Sequence, residues 1–186
     1  MDQDLVRNAM AGDEEAFDAL ATAAFPRLFQ VALGILREAL SADDATQQAI
    51  ITIWRTLPRL RDPARFDAWA YRILVRTCYA EAKRRRAWLP EAAISGDDIP
   101  VAVDDLLGVL TRDQLERGFR RLSAEHRAVI VLRYMLDLPL DRVADALDIP
   151  VGTVDSRLHR ALKALRAALE ADARPARTAG QPRFAE

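Results

Sequence analysis

The 186-residue chain is 51% hydrophobic and balances 27 basic against 28 acidic side chains, for a net charge of -1. That length allows one domain or two small ones, and its single cysteine excludes a disulfide framework or a cysteine-based zinc site within the chain. The acidic, charge-dotted start MDQDLVRNAMAGDEEAF is no signal peptide and no long uncharged apolar run stands out, so the expectation is a cytoplasmic protein without membrane insertion.

Abundant alanine and arginine, with only 7 glycines, predict an all-α fold. Asp13 can cap a first long helix whose apolar residues Phe17, Leu20, Leu28, Val31 and Ile35 recur at helical spacing, and Pro26 should bend or interrupt it. Ser41 and Asp44 form an S-x-x-D capping pattern that starts a second helix near Ala42, and Pro58 ends it. Ala45, Ala49, Ile53 and Leu57 make its buried stripe. Asp62 and Pro63 suit an N-cap and first helical position for a third helix, which runs to about Ala87. Its residues Phe66, Trp69, Ala70, Ile73, Leu74 and Thr77 can face inward. Arg65, Tyr71, Arg72, Arg76, Tyr79, Lys83 and Arg84 form the outward set. Cys78 suits a small core position.

Residues 88–111 hold five acids and no base, with two prolines, and read as a flexible acidic linker. Helical patterning returns over 112–170, with Ser123 as a cap for AEHRAVIVLRYML. The polar, proline-punctuated tail over 171–186 is expected to be disordered. The near-zero net charge hides this block structure. Net charge is -6 over 1–54, +7 over 55–87, -5 over 88–111, +2 over 112–170 and +1 over 171–186, so a basic segment stands between two acidic ones.

LDRVADALDIPVGTVDSRLHRALKAL has the grammar of a helix-turn-helix. Val154, Leu158, Ala161, Leu162 and Leu165 should pack on Val143, Ala144 and Leu147. Thr153, Ser156, Arg157, Arg160 and Lys163 lie on the other side, where arginine can meet guanine or phosphate. The alternative is a charged, solvated helix face. In the basic segment, arginines interleaved with aromatics suit single-stranded nucleic acid, although Trp54 and Trp69 favour core or interface packing over base stacking. Asp44, Gln47, Ile51 and Trp54 follow i, i+3, i+7, i+10, a stripe that fits protein docking or, alternatively, the edge of an ordinary amphipathic helix.

Four stretches in this order, FPRLFQVALGILRE, SADDATQQAIITIWRTL, RFDAWAYRILVRTCYAEAKRRR and RLSAEHRAVIVLRYMLDLPLDRVADALDIPVGTVDSRLHRALKAL, resemble the extracytoplasmic-function (ECF) sigma factors of bacterial RNA polymerase, of the sigma-70 family. The resemblance implies two helical domains: a region-two domain over 1–87 and a region-four helix-turn-helix over 112–170. It implies core-polymerase binding, through the β′ clamp helices and the β subunit, with Asp44, Gln47, Gln48, Ile51 and Trp54 as the docking residues. It implies melting and reading of the promoter −10 element by Arg61, Arg65, Phe66, Trp69, Tyr71, Arg72 and Arg76, and reading of the −35 element by Thr153, Ser156, Arg157, His159, Arg160 and Lys163. It further implies that the linker threads toward the RNA exit path and that an anti-sigma protein is a partner.

No catalytic residue, metal site or cofactor is expected, since His126 and His159 are far apart in sequence with no metal-ligand arrangement. DNA binding without core polymerase is expected to be weak. Two positions depart from the family. Asp148 stands where glycine is common, a place where aspartate tolerates a left-handed backbone. Asp155 stands where a base is common; it could accept from cytosine N4, repel a phosphate or favour the helix N-terminus, the last being preferred. Two rival readings are a conventional repressor or activator using only the helix-turn-helix, and an anti-sigma partner or decoy that mimics sigma surfaces.

Overall fold

The computed structural model describes residues 1–88 and 112–173, and among these are eight α-helices and no strand. Helices α1 (Gln3–Met10), α2 (Glu14–Leu36), α3 (Ala39–Thr56) and α4 (Phe66–Trp88) form the first unit. Helices α5 (Arg112–Arg121), α6 (Ala124–Ile130), α7 (Leu140–Leu147) and α8 (Val151–Ala173) form the second. The expected linker beyond Trp88 and the expected tail beyond Ala173 lie outside the described residues.

The acidic N-terminus folds as α1, which the sequence reading does not include. Asp2 caps it by accepting from the Asp4 amide at 2.9 Å, and Val6 and Ala9 are buried against α2. Asp13 caps α2 as expected, accepting from the Ala16 amide at 3.0 Å. Pro26 does not interrupt α2. A proline removes one backbone donor and strains one turn, and here ten buried residues hold the helix in place around it. α2 is long and apolar enough to cross a membrane by length and composition, although Arg27 interrupts its apolar stretch. In the fold its side chains Leu20, Leu28, Val31 and Ile35 enter the core between α1, α3 and α4.

The start of α3 differs from expectation. Arg37 takes a left-handed conformation (φ 59°) and ends α2, and Glu38 caps α3 by accepting from the Leu40 and Ser41 amides at 3.0 and 2.7 Å. Hydrogen bonds to Ser41, from side chain and backbone, and to the Leu40 amide hold the Glu38 carboxyl below the usual range. Ser41 is therefore a buried residue inside the first turn, not the cap. Only Arg37 and Glu38 separate the two helices, so Ser41 falls in the first turn of α3. The stripe Ala45, Ala49, Ile53 and Leu57 is buried as predicted. Asp62 caps a 3-10 turn over Pro63–Arg65 that leads into α4.

In the second unit Ser123 caps α6, accepting from the His126 amide at 3.2 Å. α6 then widens into a π turn over Val131–Met135, closed by the Leu136 amide on the Val131 carbonyl. Gly118 lets α5 lie against α8: a Cβ there would stand 3.0 Å from Leu165 Cδ1 and Leu169 Cδ2. Asp172, beyond the expected boundary at 170, still lies in α8 and pairs with Arg117 and Arg121 of α5. The units pack on each other through α4 against α7 and α2 against α6. Gly34 of α2 sits so close to Val131 that a Cβ would meet Val131 Cγ2 at 2.8 Å.

Candidate docking face and nucleic-acid interface

Four of the five predicted docking residues share the outer stripe of α3, because the opposite side carries the alanine and isoleucine stripe that binds the core. Asp44, Gln47 and Gln48 are exposed, and Ile51 and Trp54 are 43% and 38% exposed. The Trp54 ring leans on Phe17 of α2 with centroids 4.5 Å apart, so it is pinned on one side and open on the other. Gln47 donates to Asp43 at 2.7 Å. Leu40, which sequence reasoning missed, is 77% exposed one turn before Asp44. Positions 40, 44, 47, 51 and 54 alternate spacings of four and three, one continuous line on a helix. That spacing was visible in the sequence, but the expected start of α3 at Ala42 left Leu40 outside the helix.

The seven residues assigned to −10 reading fall into three groups. Arg61 and Arg65 are exposed on the loop before α4, with half-buried Trp69 one turn further on. Phe66 and Tyr71, by contrast, are core residues, 2% and 4% exposed. The outward orientation expected for Tyr71 is wrong, because its hydroxyl accepts from Arg27 Nη2 at 2.9 Å. Arg27 also donates to Asp67 at 2.9 Å, which locks the start of α4 onto α2. Tyr79, also expected outward, is half-buried, and burial pushes its phenol far up against the opposing pull of Arg157. The third group, Arg72 and Arg76, meets the second unit. Arg72 Nε donates to the Asp145 carbonyl at 2.9 Å, and Asp148 pairs with Arg72 at 3.3 Å and Arg76 at 2.5 Å. Cys78 is fully buried, and burial pushes its thiol up to about 12.

The helix-turn-helix forms as read. Val143, Ala144, Val154, Leu158, Ala161 and Leu165 are buried, while Leu147 and Leu162 are partly covered; Leu165 lies against Gly118 of α5 rather than α7. Asp148 takes the left-handed conformation expected of it (φ 56°, ψ 45°) and ends α7. On the outer face of α8, Ser156, His159 and Arg160 are exposed and Thr153 and Lys163 half-buried. Arg160 Nε donates to the Ser156 carbonyl at 3.2 Å. Arg157 is half-buried and lies beside Tyr79 of α4, so it is turned away from that face. Asp155 is exposed but lies past the first turn of α8. The helix dipole fades there, which weakens the N-terminal explanation preferred from sequence.

Two family profiles match the chain: Sigma-70 region 2 over residues 20–88, and Sigma-70, region 4 over residues 112–165. The RNA polymerase sigma-H factor of Pseudomonas aeruginosa is 28% identical over 181 residues, covering 91% of this chain and 94% of that protein. The ECF RNA polymerase sigma factor SigM of Mycobacterium tuberculosis is 34% identical over 160 residues, covering 86% of this chain and 80% of that one. This chain belongs to the ECF sigma factors.

Among solved structures, that of CnrH in complex with the cytosolic domain of CnrY matches this sigma factor with a TM-score of 0.65 and 27% identity, over 92% of this chain and 99% of that one. The sigma factor RpoE of Bartonella quintana, solved with the anti-sigma factor NepR, matches in fold with a TM-score of 0.62 at 21% identity, over 84% and 98% of the two chains.

One histidine, set aside in the sequence as a metal ligand, has a perturbed environment near the helix-turn-helix. His126 of α6 is held below the usual imidazole range, by burial first and then by the charge of Arg160, with Glu125 opposing and Arg157 adding to the depression. The unfolded chain takes up this proton near pH 6.5, before the folded sigma factor does. The stability contributed at neutral pH is therefore lost as pH falls below that value. Urea unfolding of wild type should weaken more between pH 7.5 and 5.5 than that of His126→Gln. Equal pH slopes would refute the assignment.

Proposed function

We propose that α3 docks on core RNA polymerase, that the basic loop and α4 engage the −10 element, and that α8 reads the −35 element. The docking residues are Leu40, Asp44, Gln47, Gln48, Ile51 and Trp54. Arg61, Arg65 and Trp69 are placed to meet an unpaired strand, where stacking and cations act together. Arg72 and Arg76 can join them only when α7 moves away, and Phe66 and Tyr71 support the surface from beneath. Thr153, Ser156, His159, Arg160 and Lys163 form the −35 face. The protein supplies no catalytic group of its own; the polymerase carries the chemistry, and the protein acts in the cytoplasm. Promoter DNA, core polymerase and an anti-sigma factor are its partners.

The observation that carries this reading is the exposed stripe on α3, which mixes large apolar and polar side chains on a unit otherwise packed inward. Purified core polymerase and a candidate promoter test it in run-off transcription. The expected result is a transcript from a defined start site that appears only when this protein is added. Binding to intact duplex with no such transcript would favour a conventional repressor or activator.

Leu40→Asp offers a finer test. The residue is too exposed to matter for folding, so the melting temperature should hold. Core affinity should fall by about 1 kcal/mol, as for a contact at an interface margin. Unchanged affinity would remove Leu40 from the docking face.

A further inference from the structure

We infer that the helix-turn-helix turn acts as an internal latch: Asp148 occupies Arg72 and Arg76 as a DNA phosphate would, and so masks part of the −10 surface until the two units separate. This rests on the proposed −10 role of those arginines.

The two guanidinium groups are one turn apart on α4, and a single carboxylate bridges them at 3.3 and 2.5 Å. Paired arginines around one anion are how proteins grip phosphate. The Asp145 carbonyl takes the remaining Nε–H of Arg72 at 2.9 Å, so that residue is committed to α7 through both side chain and backbone. Ser156, His159 and Arg160 on α8 stay exposed in the same arrangement, while Arg157 lies against Tyr79 of α4, so the packed chain offers most of its −35 face while part of its −10 face is covered.

The packed form also cannot serve both elements at once. Their names place them about 25 base pairs apart, roughly 85 Å at 3.4 Å per pair. A packed chain of this length has a radius of gyration of about 16 Å. Residues 89–111, drawn out fully, reach up to about 80 Å, so separation is within the chain's means.

The latch is shallow. Asp148 and Arg76 are 47% and 65% exposed, and pairs of that kind hold weakly. On the other side of the same interface, Arg37 is turned over the Phe119 ring at 5.5 Å and pairs with Glu116. Its Nε and that of Arg127 are buried without a hydrogen-bond partner. Burial first, then the neighbouring charge of Arg37, lowers the Arg127 guanidinium to about 10. The Arg37–Glu116 pair and the Arg37–Phe119 contact tie the units together on this side, while the Arg127 guanidinium is held within its own unit by the Phe119 and Leu122 carbonyls at 3.4 and 3.0 Å.

Asp148→Gly tests the latch without straining the turn, because glycine suits the left-handed backbone at this position. Spin labels at Glu15→Cys in α2 and Asp141→Cys in α7 of the full chain report the distance between units, since both sites are exposed and Cys78 is buried. Wild type should show a short distance and Asp148→Gly a population shifted to long ones. Affinity for a single-stranded −10 oligonucleotide should rise roughly threefold to tenfold, with little change for a −35 duplex. Gly34→Leu, which wedges the units apart at Val131, should produce the same two changes with Asp148 intact. A wild-type chain already open, distances unmoved by Asp148→Gly, or opening without a gain in −10 affinity would each overturn the latch. Arg72→Ala and Arg76→Ala in the Asp148→Gly background separate the two ideas: a loss of −10 affinity there upholds the arginines' role even if the latch fails.

Discussion

Trp54→Ala is expected to bind core polymerase about 2 kcal/mol more weakly, roughly thirtyfold, in a titration with purified core. Tryptophan dominates interfaces when its ring is large, rigid and already in place. Here Phe17 fixes one face of the ring at 4.5 Å while 38% of the residue stays exposed. Little conformational entropy remains to be lost on docking. The same packing means the variant also loses folding stability, about 0.5–1.5 kcal/mol for the aromatic pair alone. Phe17→Leu separates the two effects. It removes the ring contact from beneath, lowers the melting temperature, and should leave core affinity within a few-fold of wild type. Wild-type affinity in Trp54→Ala would dismiss the α3 face as the docking surface.

Arg160→Ala is expected to weaken binding to a −35 duplex by about 1–3 kcal/mol and to relax the preference at one base pair. Arg160 is exposed on the outer face of α8, and its Nε is tethered to the Ser156 carbonyl at 3.2 Å. That tether leaves the two terminal nitrogens as the fork for a guanine edge. Binding of the holoenzyme to −35 duplexes that vary one position at a time measures the effect. An equal loss on every duplex would make Arg160 a phosphate contact, and no loss would remove it from the interface. Arg157→Ala should cost less, because that side chain lies beside Tyr79 rather than outward.

Elements governed by local chemistry were legible in the residues. The caps at Asp13, Asp62 and Ser123, the alanine stripe of α3 and the packing of α7 on α8 all follow from neighbours within one or two turns. The misses have one local cause and two distant ones. At α3, Ser41 and Glu38 both had capping chemistry, and Glu38 takes the role by accepting from the Leu40 and Ser41 amides. On α4, Tyr71 sits among arginines in sequence, yet its hydroxyl finds Arg27 on a helix 44 residues earlier. The pairing of Arg72 and Arg76 with Asp148 joins residues more than 70 positions apart across two units. Periodicity carries no information on such a contact; only the packing of the units does. The aspartate itself was visible as a departure from the family, but its charge was not given a destination.

The buried Cys78 turns this sigma factor into its own clock. It is the only cysteine in the chain, wholly enclosed in α4, with a thiol held at about 12. Alkylating reagents attack the thiolate, so the folded molecule offers them almost nothing. Each modified molecule therefore records one opening of the first unit. When reclosing is slower than reaction, the labelling rate becomes the unfolding rate itself, read without any added probe and sensitive to whatever ligand holds that unit shut.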